Sequence, residues 1–248
     1  MGHTTSRRVE IVLLLTQRGN LSIDELAERF DVSTMTIRRD LHKLKAAGKI
    51  IRTPGGATLG RSVTFERNFA ERLQRMAEAK SKIGRVAASL VGKGESIVLD
   101  SGTTTLSLAH HLRTRNDIVV ITFSLTVLDD LAACRVELTG GQYRRSSMDL
   151  VGQQVREALA RVHANKAFFG AAALSFNKGV MVNDQDFPIA LLDSATERIL
   201  LVDSSKIGTE ALYHLCPIES CDLVITDNNV DPGALRKVKK LTKVIVAE

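Results

Sequence analysis

Hydrophobic residues recur at helical spacing in three runs within the first fifty residues of the chain. The first run predicts a helix around Thr5–Arg18. The second begins at Ser22, which can make a capping box with Glu25 because each side chain accepts a free backbone N–H of the other residue. Leu26 and Phe30 continue this run at helical spacing. The pattern therefore predicts two successive helices, followed by a polar turn.

The third run predicts another helix after that turn. Ser33 can cap its first turn, and Gly48 lies where a left-handed residue would end it. A rotation of about 100° per residue places Ile37, Leu41 and Leu44 on one apolar stripe, which we expect to pack against Leu26 and Phe30 of the preceding helix. Two helices joined by a tight turn form a helix-turn-helix, whose second helix enters the DNA major groove.

The opposite face of the third helix carries cations and hydroxyls, the groups that contact phosphates and base edges. Asp40 lies nearer the apolar stripe, where we expect it to fix a neighbouring arginine or helix. The residues predicted to contact DNA are Ser33, Thr34, Met35, Thr36, Arg38, Arg39, His42, Lys43 and Arg52. The alternative interpretation is an ordinary amphipathic helical hairpin with a solvated basic face.

A hairpin, or wing, is predicted at about Lys49–Thr58. An alternating apolar run leads into Pro54-Gly55-Gly56, a turn signal followed by a short return strand. The wing would hold Arg52 at the height of a phosphate or of the minor groove. Residues 59–68 then have a turn-like and charged composition. The predicted organisation is a winged helix-turn-helix domain over residues 1–60, a linker over 61–78 and a second domain over 79–248.

The second domain predicts an α/β fold. After a helical pattern over residues 69–90, short apolar runs rich in β-branched residues alternate with helical segments. The predicted strands are residues 96–99, 117–122, 135–139, 166–170, 198–203, 222–226 and 243–247. Helices are predicted from about Thr104 and over residues 125–133. Fully apolar strands separated by helices predict a mainly parallel, Rossmann-like sheet that is buried on both faces.

The distribution of charge favours nucleic-acid binding by the first domain. Residues 1–80 hold 15 Lys and Arg against 9 Asp and Glu, whereas residues 81–248 hold 19 of each. The formal net charge of +6 therefore belongs to the segment that contains the helix-turn-helix. A basic N-terminal module beside a neutral body is typical of a nucleic-acid binder with a separate second function.

Other features exclude several classes of protein. The longest apolar runs are too short to span a bilayer, and the first residues lack a signal-peptide pattern. Cys134, Cys216 and Cys221 are odd in number and lack metal-type or CxxC spacing, which is typical of reduced thiols. We therefore expect a cytoplasmic protein with no membrane partner, no metal and no cofactor.

Three predicted loops follow strands at the edge where open parallel sheets bind ligands. They are the segments Asp100–Thr105, Thr122–Ser124 and Thr139–Gly141. A loop of small residues that opens a helix offers N–H groups, hydroxyls and a positive helix end to an anion. The candidate effector-binding residues are Asp100, Ser101, Gly102, Thr103, Thr104, Thr105, Thr122, Ser124, Gly140, Gly141 and Lys206. The alternative is that these turns merely cap helices.

Together these motifs resemble the DeoR family of bacterial transcriptional regulators over nearly the whole chain. The resemblance is carried by ELAERFDVSTMTIRRDL with the downstream Gly55-Gly56-Ala57, and by four sensor segments in matching order: Asp100–Thr104, Thr139–Gly141, Asp203–Lys206 and Thr226-Asp227. It implies a winged helix-turn-helix joined to a domain similar in fold to sugar-phosphate isomerases. It also implies a phosphorylated sugar or related metabolite as inducer, with repression lifted when the inducer binds.

Three positions depart from the family pattern. Pro54 stands where the family often has His before the wing glycines, and proline stiffens the turn and removes a donor. Phe123 replaces the asparagine of the usual Thr-Asn-Ser segment at the expected ligand edge. Residues 184–190 lack a basic pair that is common in the family.

The main rival function is a sugar-phosphate isomerase or deaminase, in which Asp100 and Lys206 would serve as base and electrostatic partner. The sequence shows no convergent acid–base pair beyond those that ligand binding already uses. A DNA-binding architectural protein without a ligand would not need three loops on one sheet edge. We expect a homo-oligomer, a dimer or tetramer, because one recognition helix covers only a few base pairs.

Overall fold

The computed structural model describes residues 7–12, 14–15, 20–46, 50–53, 55–58 and 69–248. The chain separates into two units, Met1–Phe65 and Glu66–Glu248. This division falls within the predicted linker, whose residues 61–68 lie outside the described part of the chain. Residues Phe69–Gln74 of the same predicted segment form a helix.

The described residues of the first unit form three helices and a small sheet. Helix α1 covers residues 7–12 and 14–15 of the predicted first helix, whose other residues lie outside the described ranges. The remaining elements are β1 (Asn20–Ser22), α2 (Ile23–Arg29), α3 (Thr34–Ala46), β2 (Ile51–Thr53) and β3 (Gly56–Thr58). The strands pair antiparallel in the order β1-β3-β2. Gly48 and Pro54, predicted to end α3 and to stiffen the wing, lie outside the described residues.

Local chemistry places these elements as predicted. The capping box at α2 is confirmed: the Glu25 N–H donates to Ser22 Oγ at 3.1 Å, and the Ser22 N–H donates to Glu25 Oε2 at 2.7 Å. Gly56 is required by close approach, since a Cβ there would lie 2.3 Å from the Leu21 carbonyl oxygen. The Ile23 N–H donates to the Gly55 carbonyl, which joins the wing to the start of α2.

The predicted apolar stripe of α3 is also confirmed. Ile37, Leu41 and Leu44 are buried in one cluster with Leu26, and Phe30 packs against its edge. Residues of α1 complete the same cluster. This packing fixes α3 from one side only and leaves its basic face outward.

The second unit is built on a seven-stranded sheet in the order β15-β14-β12-β9-β4-β5-β6. Its strands are β4 (Ser96–Leu99), β5 (Val119–Thr122), β6 (Arg135–Leu138), β9 (Ala164–Gly170), β12 (Ala195–Leu201), β14 (Leu223–Asp227) and β15 (Lys243–Ala247). Every adjacent pair is parallel. All seven predicted strands are therefore confirmed, and all their carboxyl ends meet at one edge.

Both faces of this sheet are covered, as the apolar strands predicted. The helices are α4 (Phe69–Gln74), α5 (Ala77–Ser89), α6 (Thr103–His111), α7 (Gln153–Leu159), α8 (Ala190–Asp193) and α9 (Pro232–Lys239). Apolar residues of α5 and α6 share one buried cluster with alternate strand positions such as Leu99. Residues of α7, α8 and α9 share the other cluster with the intervening positions, such as Val98. No helix in the described part of the chain is long and apolar enough to cross a bilayer.

The helix predicted over residues 125–133 is wrong, because the segment forms consecutive turns. The Leu131 N–H divides between the carbonyls of Val127 and Leu128, a pattern of tight turns. At its start the backbone of Ser124 bridges to Asp149, which draws the chain away from a helical path. Val127 and Leu131 are nevertheless fully buried, so the periodicity identified the correct inward positions.

Two small antiparallel sheets were not predicted. Strands β10 (Ala173–Ser175), β11 (Gly179–Val182) and β13 (Tyr213–Cys216) form one of them. Strands β7 (Gln142–Arg144) and β8 (Asp149–Val151) form a hairpin. The hairpin brings Arg144 and Asp149 to the carboxyl edge of the main sheet, where both take part in the candidate site described below.

Candidate nucleic-acid and ligand sites

The outward face of α3 carries nearly all the residues predicted to contact DNA. Thr36 is half-buried, and the others on this helix and the turn before it are exposed, as is Arg52 on β2. Ser33 caps α3 as predicted: its Oγ accepts the Thr36 N–H at 3.3 Å and lies 3.0 Å from Thr36 Oγ1. Among the described residues, Met35 is the most exposed large apolar side chain, with 67% of its surface accessible. The face can therefore offer cations, hydroxyls and one apolar contact to a duplex.

Asp40 occupies the boundary between this face and the core. Its carboxylate is buried and accepts hydrogen bonds from the guanidinium groups of Arg7 and Arg8 on α1. The expectation that Asp40 fixes a neighbouring arginine is confirmed. Sequence reasoning did not identify which arginines, since they lie more than thirty positions away in the chain.

In the second unit, Asp100 anchors the first loop at the end of β4. Its Oδ2 accepts the Gly170 N–H at 3.0 Å, and its Oδ1 accepts the Ser101 N–H at 2.6 Å. Burial, with a smaller contribution from the nearby Asp149, raises the pKa of Asp100 to about 6 against the opposing effect of these hydrogen bonds. The side chain of Asp100 therefore fixes the loop through its hydrogen bonds to the backbone of Ser101 and Gly170.

The rest of the loop forms the open N-terminus of α6. Gly102 is the N-cap and offers no side chain, so none caps the first-turn N–H groups of Thr103 and Thr104. The Thr105 hydroxyl lies within hydrogen-bonding distance of the carbonyls of Asp100 and Gly102, and it thus braces the loop. The Ser101 hydroxyl donates to Asp149 at 2.7 Å. The free backbone donors are suited to an anion at this helix end.

The hydroxyl groups of the segment Thr122–Ser124 form their hydrogen bonds within the protein. The Thr122 hydroxyl donates to the Leu99 carbonyl and accepts the Ser124 N–H. Ser124 is buried, with its Oγ 2.9 Å from Thr126 Oγ1. The expectation that Phe123 presents its ring at the ligand edge is wrong, since the ring is fully buried in a core cluster. An aromatic side chain there gains more from burial than an edge position would provide.

The glycine pair after β6 has a steric reason. Both residues have positive φ, at 73° for Gly140 and 128° for Gly141. A Cβ on Gly141 would lie 2.8 Å from the Val151 carbonyl oxygen. These glycines therefore allow the chain to turn into the β7–β8 hairpin, and they fold it close against β8.

A basic cluster lies at the same edge. The Lys206 ammonium donates to the Ala171 carbonyl at 2.6 Å and lies 4.0 Å from Asp203. Burial lowers the pKa of Lys206, with Asp203 and Asp100 opposing this and Arg72 and Arg75 adding to it. Lys206 thus follows β12 and bonds to the backbone just after β9, at the carboxyl ends of two neighbouring strands.

Sequence reasoning missed Lys80, which is a member of this cluster. Lys80 on α5 is almost fully buried, and its ammonium donates to the carbonyls of Arg72 and Arg75 at the end of α4. Burial, with the repulsion of Lys206 next, lowers the pKa of Lys80 to about 8. Such a group gains from any anion that binds beside it, because the anion compensates the buried charge.

Sequence reasoning also missed a cluster of ion pairs that Arg144 forms with Asp149 and Asp184. Arg144 forms a two-pronged pair with the fully buried Asp149, at 3.0 and 2.7 Å, and donates a further hydrogen bond to Asp184. Burial lowers the pKa of Arg144, but these carboxylates more than offset it and raise the pKa above its ordinary value. Only the tertiary fold brings the hairpin, residue 184 and Ser101 together.

A winged helix-turn-helix unit joined to an α/β unit with an open loop edge is the architecture of a DNA-binding transcriptional regulator with a sensor unit. The family comparison identifies the particular class. A model of the DeoR-like helix-turn-helix domain matches residues 7–63, and a model of the DeoR C-terminal sensor domain matches residues 75–228. The chain belongs to the DeoR family.

Curated relatives match along nearly their whole length. The HTH-type transcriptional repressor GlcR of Bacillus subtilis is 34% identical over 226 residues, which cover 89% of this chain and 87% of that protein. The lactose phosphotransferase system repressor of Lactococcus lactis is 34% identical over 251 residues, covering 98% of each chain. Because these relatives are repressors, the enzymatic alternative is set aside. The sorbitol operon regulator SorC of Klebsiella pneumoniae is a structural neighbour, with 11% identity, a TM-score of 0.43 and coverage of 93% of this chain and 97% of that one.

Proposed function

We propose that this regulator represses genes of carbohydrate metabolism and that a phosphorylated sugar, or a related metabolite, controls its binding to operator DNA. The names of the curated relatives support the first half of the proposal. The second half is supported by one arrangement: α6 begins without a side-chain cap directly after Asp100, and Asp100 is coupled electrostatically to Lys206, which is coupled in turn to the buried Lys80.

The proposed operator contacts are those of the outward face of α3. Arg38 and Arg39 supply cations for phosphate or guanine, and Met35, Thr36 and His42 are placed to contact base edges. Arg52 on the wing would contact the backbone beside the groove. The exposure of these side chains, apart from the half-buried Thr36, supports the assignment.

The charged groups differ between the two sides of the loop at the carboxyl edge of the main sheet, which suggests how a ligand would be oriented. A phosphate would take the N–H groups and the hydroxyls of Thr103 and Thr104 and lie within reach of the charges of Lys80 and Lys206. On the other side, Asp149 and Asp184 both pair with Arg144; Asp149 is fully buried, but Asp184 is partly exposed and can accept a hydrogen bond from a ligand hydroxyl. A small polyol that carries one phosphate satisfies both sides, whereas a bare anion satisfies one. This favours a phosphorylated sugar over a carboxylate metabolite.

Control of DNA binding follows from linkage. The ligand must favour a state in which the paired N-terminal units of a homo-oligomer no longer match two half-sites. By reciprocity, operator DNA must then weaken ligand binding by the same factor by which the ligand weakens DNA binding. A protein that binds chromosomal DNA in this way acts in the cytoplasm, with no membrane partner.

The test is a thermal-shift screen of phosphorylated sugars on the full chain, followed by DNA binding with each hit. A ligand at 100 times its dissociation constant adds roughly 2.7 kcal/mol of stability, which is an easily measured shift. The double variant Thr103→Ala with Thr104→Ala should bind operator normally and ignore the inducer. The matched control is Thr114→Ala, an exposed threonine in a turn that precedes β5.

Three outcomes would contradict the proposal. No stabilisation by any phosphorylated sugar would reject the ligand class. Normal release of DNA by the double variant at the wild-type inducer concentration would reject the loop as the phosphate site. Loss of the response in Thr114→Ala as well would show that the effect is not local to the loop.

A further inference from the structure

Helix α3 carries a single acidic residue, and the fold buries it. The sequence of α3, TMTIRRDLHKLKA, contains five basic residues, counting His42, and one carboxylate, Asp40. Only 2% of the surface of Asp40 is accessible. Among the described residues, no ion pair joins the exposed cations of α3 to an acidic side chain. The face that meets DNA is therefore free of negative charge.

Both oxygens of the Asp40 carboxylate are bound by α1. Arg7 donates through Nε to Oδ2 at 2.8 Å, and its Nη2 lies 2.7 Å from the same oxygen. Arg8 donates through Nε to Oδ1 at 2.7 Å. The arginine side chains are largely covered, with 18% and 26% of their surface exposed. We call this three-residue cluster the Asp40 clamp.

The Asp40 clamp supplies directional contacts, which the apolar core lacks. Contacts of Ile37, Leu41 and Leu44 with α1 are non-directional, so they hold α3 against the core but resist a small rotation or slide only weakly. Guanidinium–carboxylate pairs have fixed distances and directions. A rotation of α3 about its axis would carry Asp40 away from two arginines at once. We propose that Asp40 is a positioning residue that sets the angle at which α3 presents its outward face to the bases.

Electrostatics alone predicts the opposite sign for the loss of Asp40. Replacing Asp40 with Asn removes one negative charge and leaves two guanidinium groups without their carboxylate, so the unit becomes more positive. A more positive surface binds any DNA duplex more tightly, because phosphate attraction does not depend on sequence. Misplacement of α3 instead weakens binding only where base contacts contribute. Measuring the affinity for specific and for non-specific DNA therefore distinguishes the two explanations.

The experiment uses the full chain and two duplexes. One is selected from a random pool by the wild-type protein, and the other is its scrambled sequence. For Asp40→Asn we expect affinity for the selected duplex to fall by roughly tenfold or more, with affinity for the scrambled duplex unchanged or higher. The control is Asp24→Asn, which removes the same charge from the same unit at an exposed position on α2. It should change both affinities by the same small factor.

A second variant keeps the test decisive if Asp40→Asn does not fold. Arg8→Gln removes one prong of the clamp and retains the pair between Arg7 and Asp40. Hydrogen exchange of the α3 amides shows for each variant that the helix is intact. Loss of preference for the selected duplex with α3 protected supports the proposal. Equal loss on both duplexes, or no loss on either, in a folded variant overturns it.

Discussion

Asp100 is the first residue of the proposed phosphate loop, and its ionisation makes the stability of the second unit depend on pH. Its ordinary pKa of 3.8 rises to about 6 in the folded protein, chiefly through burial. The folded state therefore holds this proton more tightly than the unfolded chain does. The stabilisation is fully present below about pH 4 and is lost as the pH rises through about 6. The difference between the two pKa values corresponds to about 3 kcal/mol of unfolding free energy.

The variant Asp100→Asn removes this dependence and keeps the shape of the side chain. Asn can still accept one of the two backbone hydrogen bonds, from Ser101 or Gly170, and loses the other. Its absolute stability therefore combines several effects, whereas the slope with pH isolates the proton. We expect the wild type to lose about 3 kcal/mol relative to Asp100→Asn between about pH 4 and pH 7.

The assay exploits the two tyrosines of the chain, which contains no tryptophan. Tyr143 and Tyr213 both belong to the second unit, so tyrosine fluorescence during urea unfolding follows that unit alone. A suitable control is Asp222→Asn. Burial raises the pKa of Asp222, but hydrogen bonds from Arg198 outweigh this and lower it, so its loss should change the profile in the opposite direction. Parallel pH profiles for wild type and Asp100→Asn would refute the reasoning.

Two further predictions concern the first unit. Leu41→Ala should cost about 2–5 kcal/mol of local stability, because Leu41 is fully buried, and should abolish DNA binding by misplacing α3; normal binding at an unchanged melting temperature would reject the packing. If Arg38 or Arg39 makes a bidentate contact with guanine, its replacement by Ala should cost about 1–3 kcal/mol of operator affinity and relax specificity at one position. A phosphate contact would instead weaken all sequences and reduce the salt dependence. Operator binding unchanged in both variants would mean that the face is wrongly assigned.

The sequence was sufficient wherever local periodicity carries the information. A helix places residues three and four apart on one face, so Ile37, Leu41 and Leu44 identified the core side of α3, and its outward side followed. Fully apolar strands can only be buried on both faces, which predicted the parallel sheet. The rule that ligands bind at the carboxyl ends of parallel strands predicts the loop at Asp100 as the phosphate site, and this stays a prediction.

Local periodicity failed where a distant contact outweighed it. Residues 125–133 have the spacing of a helix, yet the bridge between Ser124 and Asp149 holds the start of the segment, and turns form instead. Phe123 was expected at the ligand edge from its place in the motif. Its ring is instead buried in the core, because packing with residues distant in the sequence provides an apolar site there.

The sequence by itself determined the two units, the strands of the main sheet and the basic face of α3, since each depends on neighbours along the chain. The tertiary structure alone decided the partners of the buried charges. Asp40 meets arginines more than thirty residues away, and Ser101 meets Asp149 across 48 positions. A charged side chain carries no periodic signal that names its partner. Its environment exists only after strands and helices from distant parts of the chain have packed together and excluded water from it.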